Sequence, residues 1–240
     1  MKLLVINSNT NADMTAALLK AANSVAAADT RVEAVRAAWG VETVEGAYDA
    51  AFAALATIDQ LRLHESEYDA FIVACYSDPG LYACRELTEK PVLGIAQSSM
   101  LAAAALGHRF SILSPLPGMR PILENLVRLY GMEALCASVR TVDMDVLGSF
   151  GSREKSNEAF ANEGRLAIER DGAELLCLGG AFFAGRDHEI SLLTGVPCVD
   201  GLSSAVKLAE MYVSLGYPTS KIRLYREPLP KTRTISEILW

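Results

Sequence analysis

The chain of 240 residues contains no run of about 18 consecutive apolar residues, so no membrane-spanning helix is expected. Its apolar opening, Met1 to Ile6, is too short for a signal peptide, and a cytoplasmic location with no membrane partner is expected. Dense Lys/Arg clusters are absent. With 29 acidic against 22 basic residues the net charge is −7, which argues against a nucleic-acid surface. The five cysteines are an odd number without paired spacing, so they read as reduced thiols, and no zinc-type spacing occurs. What remains is an ordinary globular composition, 51% hydrophobic and 21% charged, with enough chain for one domain or two of about 120 residues.

The chain is organised around Asp69 to Leu81. Phe71 to Ala74 is a short apolar run that reads as a strand buried on both faces. Cys75 ends it, and Ser77-Asp78-Pro79-Gly80 supplies turn chemistry before a helix over 81–90. Ligands of open α/β sheets bind beyond the carboxyl ends of the strands, so Cys75 stands where chemistry is expected. A helix opened by the turn would offer free N–H groups that favour a thiolate.

Elsewhere, Lys2 to Ile6, Arg31 to Ala37 and Pro91 to Ile95 read as strands. They alternate with helices over Ala12 to Ala27, Ala47 to Glu65 and Ser98 to Leu106. The pattern then repeats. Strands are expected over Arg109 to Leu113, Ala137 to Val142, Glu174 to Leu178 and Pro197 to Asp200. The helices between and after them are Met119 to Tyr130, Asn157 to Asp171, Phe182 to Thr194 and Ser203 to Leu215. Such alternation predicts an α/β protein of two pseudo-symmetric Rossmann-like lobes, each a parallel sheet flanked by helices, with the site in the cleft between them. Residues 1–106 form the first lobe and 107–215 the second, and the tail over 216–240 is expected to pack back on the first.

Several separated motifs resemble the aspartate/glutamate/hydantoin racemase superfamily, and within it the hydantoin and allantoin racemases. Asn7-Ser8-Asn9-Thr10 resembles the family's opening Asn-Pro-Asn-Thr/Ser, and Val44-Glu45-Gly46 its Ser-Ile-Glu-Gly. Ala74-Cys75-Tyr76-Ser77-Asp78-Pro79-Gly80-Leu81 is similar to Ala-Cys-Phe-Gly/Ser-Asp-Pro-Gly-Leu, and Gly195 to Gly201 resembles the strand that closes the pocket. The resemblance implies cofactor-independent chemistry at a carbon next to a carbonyl, on a hydantoin-like or α-substituted carboxylate substrate. It implies two cysteines, one per lobe, because inversion needs removal and return of a proton on opposite faces of one carbon. The second cysteine is missing: where the family has Leu-Gly-Cys-Ala-Gly-Met, this chain has Leu178-Gly179-Gly180-Ala181-Phe182-Phe183. Phe182 adds bulk where the pocket wall should be. Cys177 is no substitute, since its side chain leaves the opposite face of the strand.

Three readings stay open: a racemase made one-sided by the loss of one thiol, a lyase like arylmalonate decarboxylase, and a binding protein without catalysis. Racemisation would need the carbanion to turn over or a water to stand in at Gly180, and water is a far poorer acid than a thiol. Weak or absent racemisation is therefore expected, with a gain when Gly180→Cys restores the second thiol. His188 is a candidate substitute, or else a solvent-facing helical residue. Asn7 and Asn9 either bind substrate or cap the first helix, a role that suits Asn11 better. Ser77 and Asp78 hold the thiolate or cap a helix, and Glu45 binds a ring N–H or stays solvated. Ser114, Gly179 and Ala181 complete the expected site. His64 and His108 read as surface positions, Cys84, Cys136 and Cys198 as packing, and the Ala-rich helices as core and as the interface of an expected homo-oligomer.

Overall fold

The computed structural model describes residues 1–146 and 153–232. The first sheet is built from β1 (Lys2–Asn7), β2 (Arg31–Arg36), β3 (Ala70–Val73) and β4 (Val92–Gly94), in the order β2-β1-β3-β4. The second holds β5 (Phe110–Ser114), β6 (Cys136–Thr141), β7 (Leu175–Leu178) and β8 (Cys198–Asp200), in the order β6-β5-β7-β8. All pairings are parallel, so the sheets share one topology, as the alternation predicts. Leu3 to Ile6 and Phe71 to Val73 have no exposed surface, which is why these segments are apolar throughout rather than alternating. Each such Leu, Ile or Phe contributes about 1.5–3 kcal/mol of burial.

In each sheet the chain reverses its direction of travel between two neighbouring strands, β1 and β3 in one lobe, β5 and β7 in the other. The loops leaving those strands diverge and open a crevice at their carboxyl ends. Asn7 and Cys75 belong to the first crevice, Ser114 and Gly179 to the second.

Eight helices are described: α1 (Ala12–Val25), α2 (Ala47–His64), α3 (Leu81–Leu87), α4 (Ile95–Leu106), α5 (Arg120–Leu129), α6 (Arg153–Asp171), α7 (Asp187–Thr194) and α8 (Gly201–Leu215). Two of them change places. Helix α4 leaves the first sheet and packs on β7, while α8 leaves the second and packs on β3 and β4. Their first turns cross so closely that a Cβ on Gly201 would lie 2.4 Å from the Ile95 carbonyl oxygen. The crossing back onto the first lobe therefore begins at residue 201. The tail follows: Thr219 donates to the Lys90 carbonyl at 2.9 Å, and Lys221 to that of Arg85 at 2.7 Å. Residues 233–240 of the expected tail lie outside the described residues.

Three of the element boundaries that differ from expectation bear on the site. The helix expected over 182–194 is split into a 3₁₀ turn, Ala181–Phe183, and α7, because Gly185 takes a left-handed φ of 71° between them. Helix α8 starts at Gly201, two residues early, since Asp200 is its N-cap and accepts from the Leu202 and Ser203 N–H groups. Helix α4 starts at Ile95 rather than Ser98 for a related reason. Its first N–H groups, from Ala96 and Gln97, donate to Asp78 at 3.0 and 2.9 Å. Asp78 thus caps α4 and not the helix that follows it in sequence. Gly94 makes room: a Cβ there would fall 2.3 Å from the Asp78 carboxyl carbon.

Burial raises the Asp78 carboxyl from its ordinary 3.8 to about 6, against the opposing donors from Gln97, Tyr130 and Ala96. The folded state therefore holds this proton to higher pH than the unfolded chain. The stability it contributes is full below pH 3.8 and is lost as pH rises through about 6. Urea unfolding of wild type and Asp78→Asn between about pH 4 and pH 7 checks this. Wild-type stability relative to the variant should fall as pH rises, and a constant difference would refute the raised carboxyl. Separately, Gly201→Ala should destabilise by about 1–3 kcal/mol through overpacking, despite the better helix propensity of Ala. An unchanged urea midpoint would mean that α4 and α8 can separate without cost.

Candidate functional site

A cavity of about 50 Å³ lies where the two crevices meet. The first lobe lines it with Asn9, Met14, Val44 and Ala74 to Ser77, and the second with Ser114 to Leu116, Met119, Val146 and Gly179 to Phe182. Of the expected site residues, Asn9, Cys75, Ser77, Ser114, Gly179, Gly180 and Ala181 come together here. A larger open groove of about 560 Å³ runs beside Asp69 and Pro91, at the amino ends of β3 and β4. That is the edge of the sheet opposite to the one where α/β ligand sites form.

Cys75 leaves the end of β3 partly exposed to the cavity, with Sγ 3.4 Å from the Ser77 hydroxyl. The expectation of a favoured thiolate is corrected. Burial pushes the thiol above its ordinary value, and the nearby Asp78 charge adds to this, while Ser77 opposes it through its hydroxyl and N–H. The turn fails to lower the thiol because Gly80, not Cys75, stands at the start of α3, and the Asp78 carboxylate points to α4.

Asn7, Asp78 and Glu45 do not line the cavity. Asn7 is fully buried and its amide donates to Asn9 Oδ1, Thr15 Oγ1 and the Asn11 carbonyl at 2.8, 2.9 and 3.2 Å. It builds the loop that presents Asn9. The Asn9 amide nitrogen faces the Met14 sulfur, a weak acceptor, at 3.5 Å. Asn11 caps α1 by accepting from the Met14 N–H at 2.8 Å. Glu45 accepts from Thr43, and its neighbour Val44 reaches the cavity instead.

On the second lobe Gly179 is required by a close approach, since a Cβ would lie 2.5 Å from the Leu113 carbonyl oxygen. Gly180 is different. A Cβ there would meet the Phe182 ring, 2.4 Å from Cε1. Phe182 is buried and stacks on Phe183 with ring centroids 4.2 Å apart, and the Arg186 guanidinium lies 5.7 Å from its centroid. The space expected for a water or a second thiol is therefore filled by this ring. Cys177 is buried in β7, with its thiol toward the Ser99 carbonyl at 3.7 Å. His188 is exposed on α7 and is not among the cavity residues.

Sequence reasoning missed the apolar part of the wall, Met14, Leu116, Met119 and Val146, which carries no chemical signature. It also missed Tyr130, at the end of α5, whose hydroxyl donates to Asp78 at 2.8 Å. A partner 52 residues away leaves no local pattern. Among the described residues no group of three or more His, Cys, Asp or Glu is placed to hold a metal ion, and no helix is long and apolar enough to cross a membrane.

A profile of Asp/Glu/hydantoin racemases matches residues 3–209. The chain is 41% identical to a hydantoin racemase of Pseudomonas sp. (strain NS671) over 232 residues, covering 96% of this chain and 93% of that one. It superposes on an allantoin racemase from Pseudomonas fluorescens with a TM-score of 0.95 and 38% identity, covering 98% of this chain and all 100% of the other. Arylmalonate decarboxylase shares the fold, with a TM-score of 0.62 and 17% identity over 94% of this chain and 99% of that one. With its paired sheets, its motif cysteine and these relatives, the chain belongs to the Asp/Glu/hydantoin racemase family and is a racemase-family enzyme.

Proposed function

We propose that the enzyme transfers a proton at the 5-carbon of a hydantoin, allantoin being one such ring, with Cys75 as the acid and base on one face. The observation that carries this reading is the pairing of Cys75 with Gly180 on the two walls of one small cavity. The wall where a second proton carrier would stand presents only a glycine covered by a phenyl ring. Proton removal and return then occur from the side of the first lobe. Ser77 holds the sulfur, and the Asn9 amide is the donor best placed to bind a ring carbonyl.

About 50 Å³ is less than the liquid volume of two waters, at about 30 Å³ each. A five-membered ring enters only if the wall yields, and Phe182 and Tyr76 are its two aromatic side chains. A hydrogen bond to a ring carbonyl acidifies the neighbouring carbon, and the apolar wall strengthens that bond by excluding water.

The raised Cys75 thiol favours a second reading. A thiol kept neutral is a better donor than base, and it would suit protonation of a carbanion left when a substituted malonate loses carbon dioxide. Release of carbon dioxide from such malonates, absent in Cys75→Ala, would establish this lyase reading.

The racemase reading is tested with an enantiopure 5-substituted hydantoin in D2O. Deuterium uptake should outrun loss of optical rotation, and Cys75→Ala should slow uptake by roughly 10²- to 10⁴-fold. Uptake undiminished in Cys75→Ala removes Cys75 from the mechanism. Gly180→Cys alone should give no gain in racemisation, because its Cβ would meet the Phe182 ring. This outcome differs from the gain expected from the motif alone. Gly180→Cys combined with Phe182→Gly should bring racemisation up to the rate of uptake. A gain from Gly180→Cys alone would show that the ring moves freely.

A further inference from the structure

We infer that Tyr130, from the second lobe, is a positioning residue for Cys75 and acts through Asp78. Four observations converge on this pair. First, Asp78 closes the turn that carries the cysteine: its N–H donates to the Cys75 carbonyl at 2.9 Å, and its own carbonyl accepts from Leu81 at 3.2 Å. Second, it does so with a left-handed φ of 44°, a conformation that costs energy for a residue with a Cβ. Something must hold it there. The holding groups are three donors to its carboxylate: the Ala96 and Gln97 N–H groups of α4 and the Tyr130 hydroxyl at 2.8 Å.

Third, Tyr130 is the one of these donors that comes from the other lobe, at the end of α5, so the bond spans the two halves. Fourth, a chain of contacts closes around the pair on the first-lobe side. The Tyr130 ring meets Tyr82 with centroids 6.4 Å apart, and Tyr82 meets Tyr225 of the tail at 5.5 Å. Arg85 donates to the Tyr225 hydroxyl at 3.2 Å and to Gln97 Oε1 at 2.6 Å, and the Gln97 N–H returns to Asp78 at 2.9 Å. The position of the second lobe, and of the tail, is thereby read by the turn that presents the thiol. Any buried tyrosine hydroxyl needs an acceptor. Here the hydroxyl reaches a carboxylate, the stronger kind of hydrogen bond.

Tyr130→Phe keeps the ring and removes the bond. The tie is tested without any substrate, so its outcome is independent of whether hydantoins are turned over. The probe is iodoacetamide, with alkylation followed at each cysteine peptide by mass spectrometry. Burial is what chiefly raises the Cys75 thiol. Loosening the turn should therefore speed its alkylation roughly three- to tenfold. Cys136 and Cys198, partly exposed in the other lobe, should be unaffected. In an Asp78→Asn background, Tyr130→Phe should add nothing further at Cys75. Should Asp78→Asn not fold, amide exchange in Tyr130→Phe decides instead, with faster exchange at Ala96 and Gln97 expected. A lowered Tm with Cys75 alkylation unchanged would reduce Tyr130 to a packing residue. Equal acceleration at Cys75, Cys136 and Cys198 would also overturn the inference, because it would signal general loosening.

Discussion

Gly201 has no Cβ because the Ile95 carbonyl oxygen occupies the space one would need, and this contact sets how the two sheets meet. Helices α4 and α8 each start in one lobe and bury their apolar side on the strands of the other. Neither lobe holds its own core without its partner's helix. The exchange brings the amino ends of both helices to the centre of the molecule, and each arrives with free N–H groups that must be met there. Two buried carboxylates meet them, Asp78 for α4 and Asp200 for α8. Burial raises both, and the donors aimed at them oppose that rise.

This scaffold is nearly symmetric and its chemistry is not. Both crevices open between the same pair of strands in the shared topology, and both deliver loop residues to one cavity. On one side the strand end is Cys75. On the other it is Gly180, with Phe182 lying over it. The asymmetry extends to the caps. Asp200 belongs to the residue just before its own helix, whereas Asp78 reaches α4 from the turn after a different strand. That reach ties the cysteine turn of the first lobe to the helix packed on the second.

Much of this was legible in the sequence because central parallel strands buried on both faces, β1, β3, β5 and β7, read as largely apolar runs, and strands alternate with helical stretches throughout. The edge strands β2 and β6, by contrast, carry charged or polar residues. Cys75 was legible from its place after one of the apolar runs. The sense of its thiol was not. Ser77-Asp78-Pro79-Gly80 has the composition of a helix-opening turn, and a helix start would lower a thiol. Which helix Asp78 caps depends on a partner 18 residues on, and Tyr130 lies 52 away. Phe182 was legible as bulk but not as a plug, because its ring also packs on Phe160 of α6, 22 residues away in sequence, with centroids 5.7 Å apart.

The raised thiol bears on how a single cysteine can work in both directions. A base must be ionised and an acid must not, so a one-thiol site alternates between the two on each turnover. Burial favours the neutral thiol, the form needed to return a proton. Ionisation requires either water or a donor, and the Ser77 hydroxyl at 3.4 Å is the donor at hand.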